Sequence, residues 1–281
     1  MTLAALDTVL RAANVGGYAV GGLVVLGWED ARAYVRAAEA LGAPVILQAG
    51  PGCRAHTPLP VLGAMFRTLA EGASVPVVAH LDHGKTLEEC RIALDCGFSG
   101  IMFDGSALPL DENIALTAQV AEMSHAAGAG CEGEIGFVGY AEGAPGVGTD
   151  PDEAARFARE TGVDAMAVSV GNVHLQQTRA AVIDHARIAA IMACTQVPLV
   201  IHGGSGVSDA DRQLLARETT VAKFNIGTEL RMAFGTALRA TLAADADVFD
   251  RLAILRATEA PVQAAAERVI SGLMAGSQAG V

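Results

Sequence analysis

Residues 76–83 read Pro76-Val77-Val78-Ala79-His80-Leu81-Asp82-His83, and a stretch with helical spacing, Thr86 to Cys96, follows almost at once. Apart from His80, the first stretch is apolar on both alternating faces until it ends in an acid and an imidazole. A strand buried on both sides is what a parallel sheet covered by helices requires. The same unit recurs in both directions along the chain. Further strands are expected at Tyr18–Val25, Pro44–Gln48, Gly100–Asp104, Gly130–Ile135, Ala165–Val170, Leu199–His202 and Ala222–Ile226. Between them lie amphipathic segments such as Trp28–Leu41, Pro60–Glu71, Leu110–Ala127, Pro151–Thr161 and Ala181–Cys194. Eight strands alternating with helices in 281 residues predict a closed (β/α)8 TIM barrel rather than an open doubly wound sheet. No linker, charge block or low-complexity tract divides the chain, so residues 1–281 read as a single barrel domain. The part beyond Glu229 reads as a C-terminal helical extension, continuous to the end, with Pro261 at a helix start.

The apolar share of 52% and the mean hydropathy of +0.38 raise the question of a membrane. No run of about 18 apolar residues is free of charge, as a spanning helix would need. The longest apolar stretches, Gly16 to Trp28 and Pro198 to Ile201, are bounded by Gly or Pro like buried strands. Nineteen Lys and Arg against 31 Asp and Glu give a net charge of −12, which disfavours nucleic acid and anionic lipid as partners. Five cysteines without a C-x-x-C pair suggest buried free thiols in a reducing compartment. The N-terminus lacks a basic leader, and Asp7 and Arg11 interrupt its first apolar segment. A soluble, cytoplasmic protein is expected.

Polar residues gather at the strand ends. Strand three ends in Asp82-His83, strand four in Asp104, and strand five in Glu132-Gly133-Glu134. Strand six leads into Gly171-Asn172-Val173-His174, strand seven into His202-Gly203-Gly204-Ser205-Gly206, and strand eight into Asn225-Ile226-Gly227-Thr228. In a parallel barrel these ends converge on the face where barrel enzymes place their active sites. A lone histidine there is more often a buried ring satisfied by hydrogen bonds. Three at corresponding ends, His83, His174 and His202, point instead to Zn²⁺ with a fourth position open to substrate. His80 lies inside its strand, His125 and His185 on helices and His56 in a loop; all four read as structural.

Asp82 and His83 are neighbours, so both reach one site only if the strand ends and the backbone turns there. An acid beside a metal can exchange a proton with a substrate oxygen or orient a ligand histidine. Asp104 and Glu134 read either as a second cation site, divalent or monovalent, or as carboxylates bonding ligands and neighbouring strands. The Gly-rich turns after strands seven and eight (Gly203, Gly204 and Ser205, then Gly227 and Thr228) offer backbone N–H groups and hydroxyls at helix starts, which suits phosphate. Together the three features suggest Lewis-acid chemistry on a phosphorylated carbonyl compound.

At this point the sequence resembles the class II, metal-dependent ketose-bisphosphate aldolases, nearest their fructose and tagatose branch. The resemblance runs from Gly16 to about Phe234. It rests on His80-Leu81-Asp82-His83, Asp164-Ala165-Met166-Ala167-Val168, Gly171-Asn172-Val173-His174, Pro198 to Gly206, and Lys223 to Leu230. It implies a zinc-stabilised enediolate of dihydroxyacetone phosphate, with zinc held by His83, His174 and His202. Asp82 would move the proton of the aldehyde-derived oxygen, and Asn225 would contact the enediolate. Gly203, Ser205 and Thr228 would hold phosphate, with Gly204, Ile226 and Gly227 in the same two loops. Asp104 and Glu134 match positions that bind a second cation in some members. Glu142, in a Gly-rich loop, matches a mobile glutamate that carries the donor's C–H proton; an exposed loop acid is the competing reading. A homodimer or homotetramer is also implied, with Phe234 and the C-terminal helices as a possible interface.

The departures concern substrate. Strand one reads Gly21-Gly22-Leu23-Val24, so Val24 stands where the family has an asparagine near substrate. Leu175-Gln176-Gln177 follows His174 where the family has glycine, an aromatic residue and often lysine. The loop from Phe137 to Thr149 is shorter than in the tagatose enzymes. A different or less phosphorylated substrate is therefore plausible. A zinc-dependent sugar-phosphate epimerase or isomerase, and a noncatalytic sugar-phosphate-binding paralogue, are the alternative readings.

Overall fold

The computed structural model describes residues 2–139, 143 and 145–274. Its centre is a closed barrel of parallel strands in chain order: β1 (Val20–Val24), β2 (Val45–Ala49), β3 (Val77–Gly84), β4 (Gly100–Phe103), β5 (Gly130–Ile135), β6 (Ala165–Val168), β7 (Leu199–Ile201) and β8 (Val221–Ile226). Pairing of Gly22 with Asn225 belongs to the β1–β8 ladder that shuts the ring. Around it run α1 (Leu6–Gly16), α2 (Trp28–Leu41), α3 (Pro51–His56), α4 (Leu59–Gly72), α5 (Leu87–Asp95), α6 (Leu110–Ala126), α7 (Pro151–Thr161), α8 (His185–Cys194), α9 (Asp209–Glu218), α10 (Thr228–Ala244) and α11 (Arg251–Met274). This is the (β/α)8 barrel with a C-terminal helical extension. Among the described residues, no helix is long and apolar enough to cross a membrane.

Helix starts follow the expected capping chemistry. The Asp150 carboxylate accepts the N–H groups of Asp152 and Glu153, with Pro151 opening α7. The Ser208 hydroxyl accepts the N–H of Asp211 at the start of α9.

Two apolar layers separate the parts of the molecule. Most of the core lies between the strands and the covering helices, including Phe66, Phe157 and Phe224. A second, smaller cluster fills the lower barrel interior, where Val20, Ile46, Val78 and Met102 meet Leu6 and Leu10 of α1. Helix α1 therefore plugs the end opposite the polar strand ends. Gly100 and Gly130 make room for it, because a Cβ on Gly130 would stand 2.6 Å from the backbone nitrogen of Asp7.

The structure corrects the C-terminal reading. Helix α10 stops at Ala244, and α11 starts afresh at Arg251, where the Asp250 carboxylate accepts the N–H of Leu252 at 2.9 Å. Pro261 lies inside α11 and does not begin a helix. The lost backbone bond is offset by packing of the residues around it, for Val262, Ala265 and Ala266 are buried. His56 closes the short helix α3 rather than sitting in a loop. The thiols are free but not uniformly buried: Cys53, Cys90 and Cys131 are, Cys96 is half-buried, and Cys194 at the end of α8 is exposed.

The close approach of α1 predicts that Gly130→Ala destabilises the protein by about 1–3 kcal/mol in a denaturant melt. Gly72→Ala, where an added Cβ meets nothing within 4 Å, should change stability by under about 1 kcal/mol. Equal effects would show that α1 does not seat against β5 as described.

Candidate active site

Side chains inside the barrel change from apolar to charged toward the C-terminal strand ends. Immediately above the apolar layer lie His80, Glu132 and Lys223, all with no solvent exposure. Lys223 Nζ donates to Glu132 Oε2 at 2.5 Å, and His202 Nε2 lies 3.0 Å from Glu132 Oε1. His80 Nε2 approaches the same carboxylate at 3.4 Å. Burial opposes the charge on Glu132. The Lys223 ammonium and the His202 and His80 contacts outweigh it and hold the carboxyl well below its ordinary range. Burial, followed by the Lys223 charge, depresses the His80 imidazole and keeps it neutral.

The next layer holds the three histidines. The rings of His83, His174 and His202 meet with centroids 4.7 to 5.6 Å apart. Their nitrogens lie within 4.8 Å of one another, and so do the ligand atoms of His83, Asp104 and Glu134. His83 reaches the cluster through an unusual backbone. Its φ is +54°, and the β3–β4 register shifts between Leu81 and Gly84. That turn lets adjacent Asp82 and His83 both serve the site, at a conformational cost of about 1–2 kcal/mol. His202 directly follows β7, and its backbone oxygen accepts from the Asn172 side chain at 3.0 Å. His174 comes from the loop after β6, and its N–H donates to the Gly139 carbonyl. Gly203 (φ +62°) passes so close below that a Cβ would lie 2.2 Å from the Val173 oxygen, so only glycine brings these two loops together.

Carboxylates surround the rings. Asp104 Oδ2 accepts from His83 Nδ1 at 2.8 Å and from Lys85 Nζ at 2.6 Å, while Ser106 Oγ donates to Oδ1. Burial disfavours the Asp104 anion, but His83, Lys85 and Ser106 hold it far below the usual range. Burial likewise opposes a charge on His83, yet Asp82, Asp104 and Glu134 push the imidazole up to about 9. His174 is lowered to about 3 by burial and then by the charges of His202 and His83. Burial raises Glu134, and its Oε2 has no hydrogen-bond partner, nor does His202 Nδ1. Buried orphan acceptors facing one point are what a cation would satisfy.

Asp82 is held by one oxygen. Gln48 Nε2 and Asn225 Nδ2 donate to Oδ1 at 2.8 and 3.2 Å, leaving Oδ2 toward Gly50 on the cleft wall. Burial opposes its charge, but His83, His202 and Lys223 lower its pKa and keep it ionised. The cleft above measures about 220 Å³. Gly203, Ser205, Asn225, Gly227 and Thr228 line it; Gly204 and Ile226 do not. Gly204 is buried with its oxygen bonded by Arg212, and Ile226 packs into the outer core. The Ser205 hydroxyl accepts the N–H groups of Gly227 and Glu229 at the start of α10. Glu142 lies outside the described residues.

The family model for class II fructose-bisphosphate aldolase matches residues 4–278. The chain belongs to the class II fructose-bisphosphate aldolase family. A 6-phospho-5-dehydro-2-deoxy-D-gluconate aldolase of Shouchella clausii is 38% identical, over 96% of this chain and 94% of that one. A fructose-bisphosphate aldolase of Geobacillus stearothermophilus is 35% identical over 89% of each. The crystal structure of the YdjI aldolase from Escherichia coli K12 superposes with a TM-score of 0.85 at 31% identity, covering 99% of this chain and 100% of that one.

Two departures from this family's pattern take physical form. Leu175 adopts φ +61°, the left-handed backbone that suits the glycine it replaces, with its side chain half exposed at the cleft. Val24 lines the cleft and would lie 3.0 Å from a Cβ on Gly227, so an apolar surface stands where the family has an amide. Glu132 and Lys223 stand among the polar strand ends in the sequence without a role, and Gln48 does not stand out there. Their signal was a charged or amide residue at alternate positions of strands otherwise buried on both faces, which must find partners inside the barrel.

Removing one partner should expose that dependence. Lys223→Met is expected to destabilise the protein by about 3–5 kcal/mol in chemical denaturation, because Glu132 is left buried without its cation. Adding Glu132→Gln should recover part of the loss. A single variant as stable as wild type would mean that the Glu132 charge is balanced elsewhere.

Proposed function

We propose that this aldolase cleaves a ketose phosphate or related sugar phosphate reversibly, with dihydroxyacetone phosphate as the three-carbon donor. The observation that carries the reading is three imidazoles meeting beside a buried, ionised aspartate at the mouth of a cleft that ends on a helix start. The donor set fits Zn²⁺. Three histidine rings leave a fourth position open, and carboxylates on His83 Nδ1 and His202 Nε2 orient two of those rings. Held by His83, His174 and His202, the ion would supply Lewis-acid polarisation of the substrate's carbonyl and hydroxyl oxygens.

The chain's own groups do the rest. Asp82, fixed through Oδ1, presents Oδ2 to take the proton from the substrate hydroxyl as the carbon–carbon bond breaks, and returns it in the synthetic direction. Glu142 is assigned the donor's C–H proton by its match to the family's loop glutamate. The phosphate rests at the start of α10 against Gly203, Ser205, Gly227 and Thr228, where N–H groups and hydroxyls converge. Arg231 donates to the Thr228 hydroxyl and places a cation beside that cradle. Lys85 adds a second along the cleft wall. Asp104 and Glu134 offer a second cation position or orient His83, and an assembly of two or four chains accompanies the family reading.

The two relatives are named for a phosphorylated deoxy-keto acid and for a sugar bisphosphate. With Val24 and Leu175 altering the cleft, both classes belong in the test. Zinc-loaded protein should split at least one ketose phosphate of a panel into two shorter fragments, one of mass matching dihydroxyacetone phosphate. A single isomeric product, or tight binding without turnover across the panel, would overturn the proposal. Chelator should abolish cleavage and Zn²⁺ or Co²⁺ restore it. Asp82→Ala should keep its zinc but lose about 10²–10⁴ in kcat; unchanged turnover would remove Asp82 from the mechanism.

A further inference from the structure

Arg54 sits on α3 with only 8% of its side chain exposed, directly behind residues that line the cleft. It does not line the cleft itself. Its guanidinium donates to three backbone oxygens: Ala49 at the end of β2 at 2.5 Å, Asp82 at 2.6 Å and His83 at 3.0 Å. Nε donates to Glu89 Oε1 at 2.8 Å, and Glu89 Oε2 accepts the N–H of Lys85 at 2.9 Å. One Arg–Glu pair thus brackets the segment from Asp82 to Lys85 on both sides.

That segment contains the left-handed residue. A histidine at φ +54° persists only where its surroundings over-determine the backbone. The β3–β4 ladder steps from the Leu81–Ile101 pair to the Gly84–Phe103 pair, so strand pairing leaves Asp82 and His83 themselves unfixed. We propose that Arg54, with Glu89, is the positioning residue that holds the left-handed turn at His83 and thereby brings Asp82 and His83 to one site. This rests on the roles given above to those two residues. A guanidinium is suited to the task because its planar fork reaches several oxygens at fixed angles, which the point charge of a lysine cannot reproduce.

The test uses Arg54→Lys, with Glu89→Gln as a second, milder variant and Arg67→Lys as a control. Arg67 also donates to a backbone oxygen, that of Cys96, but remote from the site. Zinc affinity is measured by chelator competition, the cobalt-loaded absorption spectrum is recorded, and kcat and KM are determined separately. Arg54→Lys is expected to bind Zn²⁺ about 10- to 100-fold more weakly. Its cobalt spectrum should move, and kcat should fall more than KM rises. Glu89→Gln should move the same readouts less, and Arg67→Lys should change thermal stability alone. Wild-type zinc affinity and cobalt spectrum in Arg54→Lys, whatever its melting temperature, would overturn the proposal. So would Arg67→Lys weakening zinc equally. Because affinity is read without turnover, a wild type that cleaves no ketose phosphate would count against the proposed reaction and leave this test standing.

Discussion

Glu132 carries a negative charge in the middle of the barrel with no access to water. In that setting an unpaired carboxylate would take up a proton or destabilise the fold by several kcal/mol. Lys223, His202 and His80 meet it from three other strands. The same contacts orient the His202 ring, leaving Nδ1 without a hydrogen bond and 3.6 Å from Glu134 Oε2. Stability of the barrel interior and geometry of the histidine cluster are thereby one problem with one solution. Below this layer the interior is apolar and closed by α1. Above it the strand ends carry the polar groups that line the cleft.

The upper layer depends on backbone as much as on side chains. His83 serves the site because one residue turns left-handed inside a break in the strand register. His202 and His174 come together because Gly203 lets two loops pass at a distance no Cβ would allow. The overall charge of −12 tells nothing about this face. Lys85, Arg231 and the N-terminus of α10 set positive groups along the cleft beside Asp82 and Asp104, while the net charge of the whole chain is negative.

Much of this was readable from residues alone because burial imposes period. Strands such as Val77 to Asp82 and Gly130 to Ile135 show uninterrupted apolar or glycine faces, and Asp150 and Ser208 announce their helices by capping chemistry. The three histidines stood out because each ended or followed such a strand. What stayed hidden involves partners far apart in the chain. Glu132 and Lys223 explain each other only once β5 and β8 face across the barrel. Arg54 has no periodic signature, since its value lies in the carbonyls it reaches. Pro261 misled because its local preference for a helix start is small beside the packing of the residues that follow it against the barrel and α2. Helix α1 escaped because its apolar face suits any core, and nothing local says that it plugs a barrel.

The claim that this face performs proton transfer at a metal-assisted carbonyl is tested most directly with the donor alone. The protein is incubated with dihydroxyacetone phosphate in deuterium oxide, zinc-loaded and chelator-stripped, and deuterium incorporation at carbon is followed by mass. The account predicts exchange of one carbon-bound hydrogen that disappears with the metal and returns with Zn²⁺. Exchange at the same rate in metal-free protein, or none in zinc-loaded protein, would contradict it.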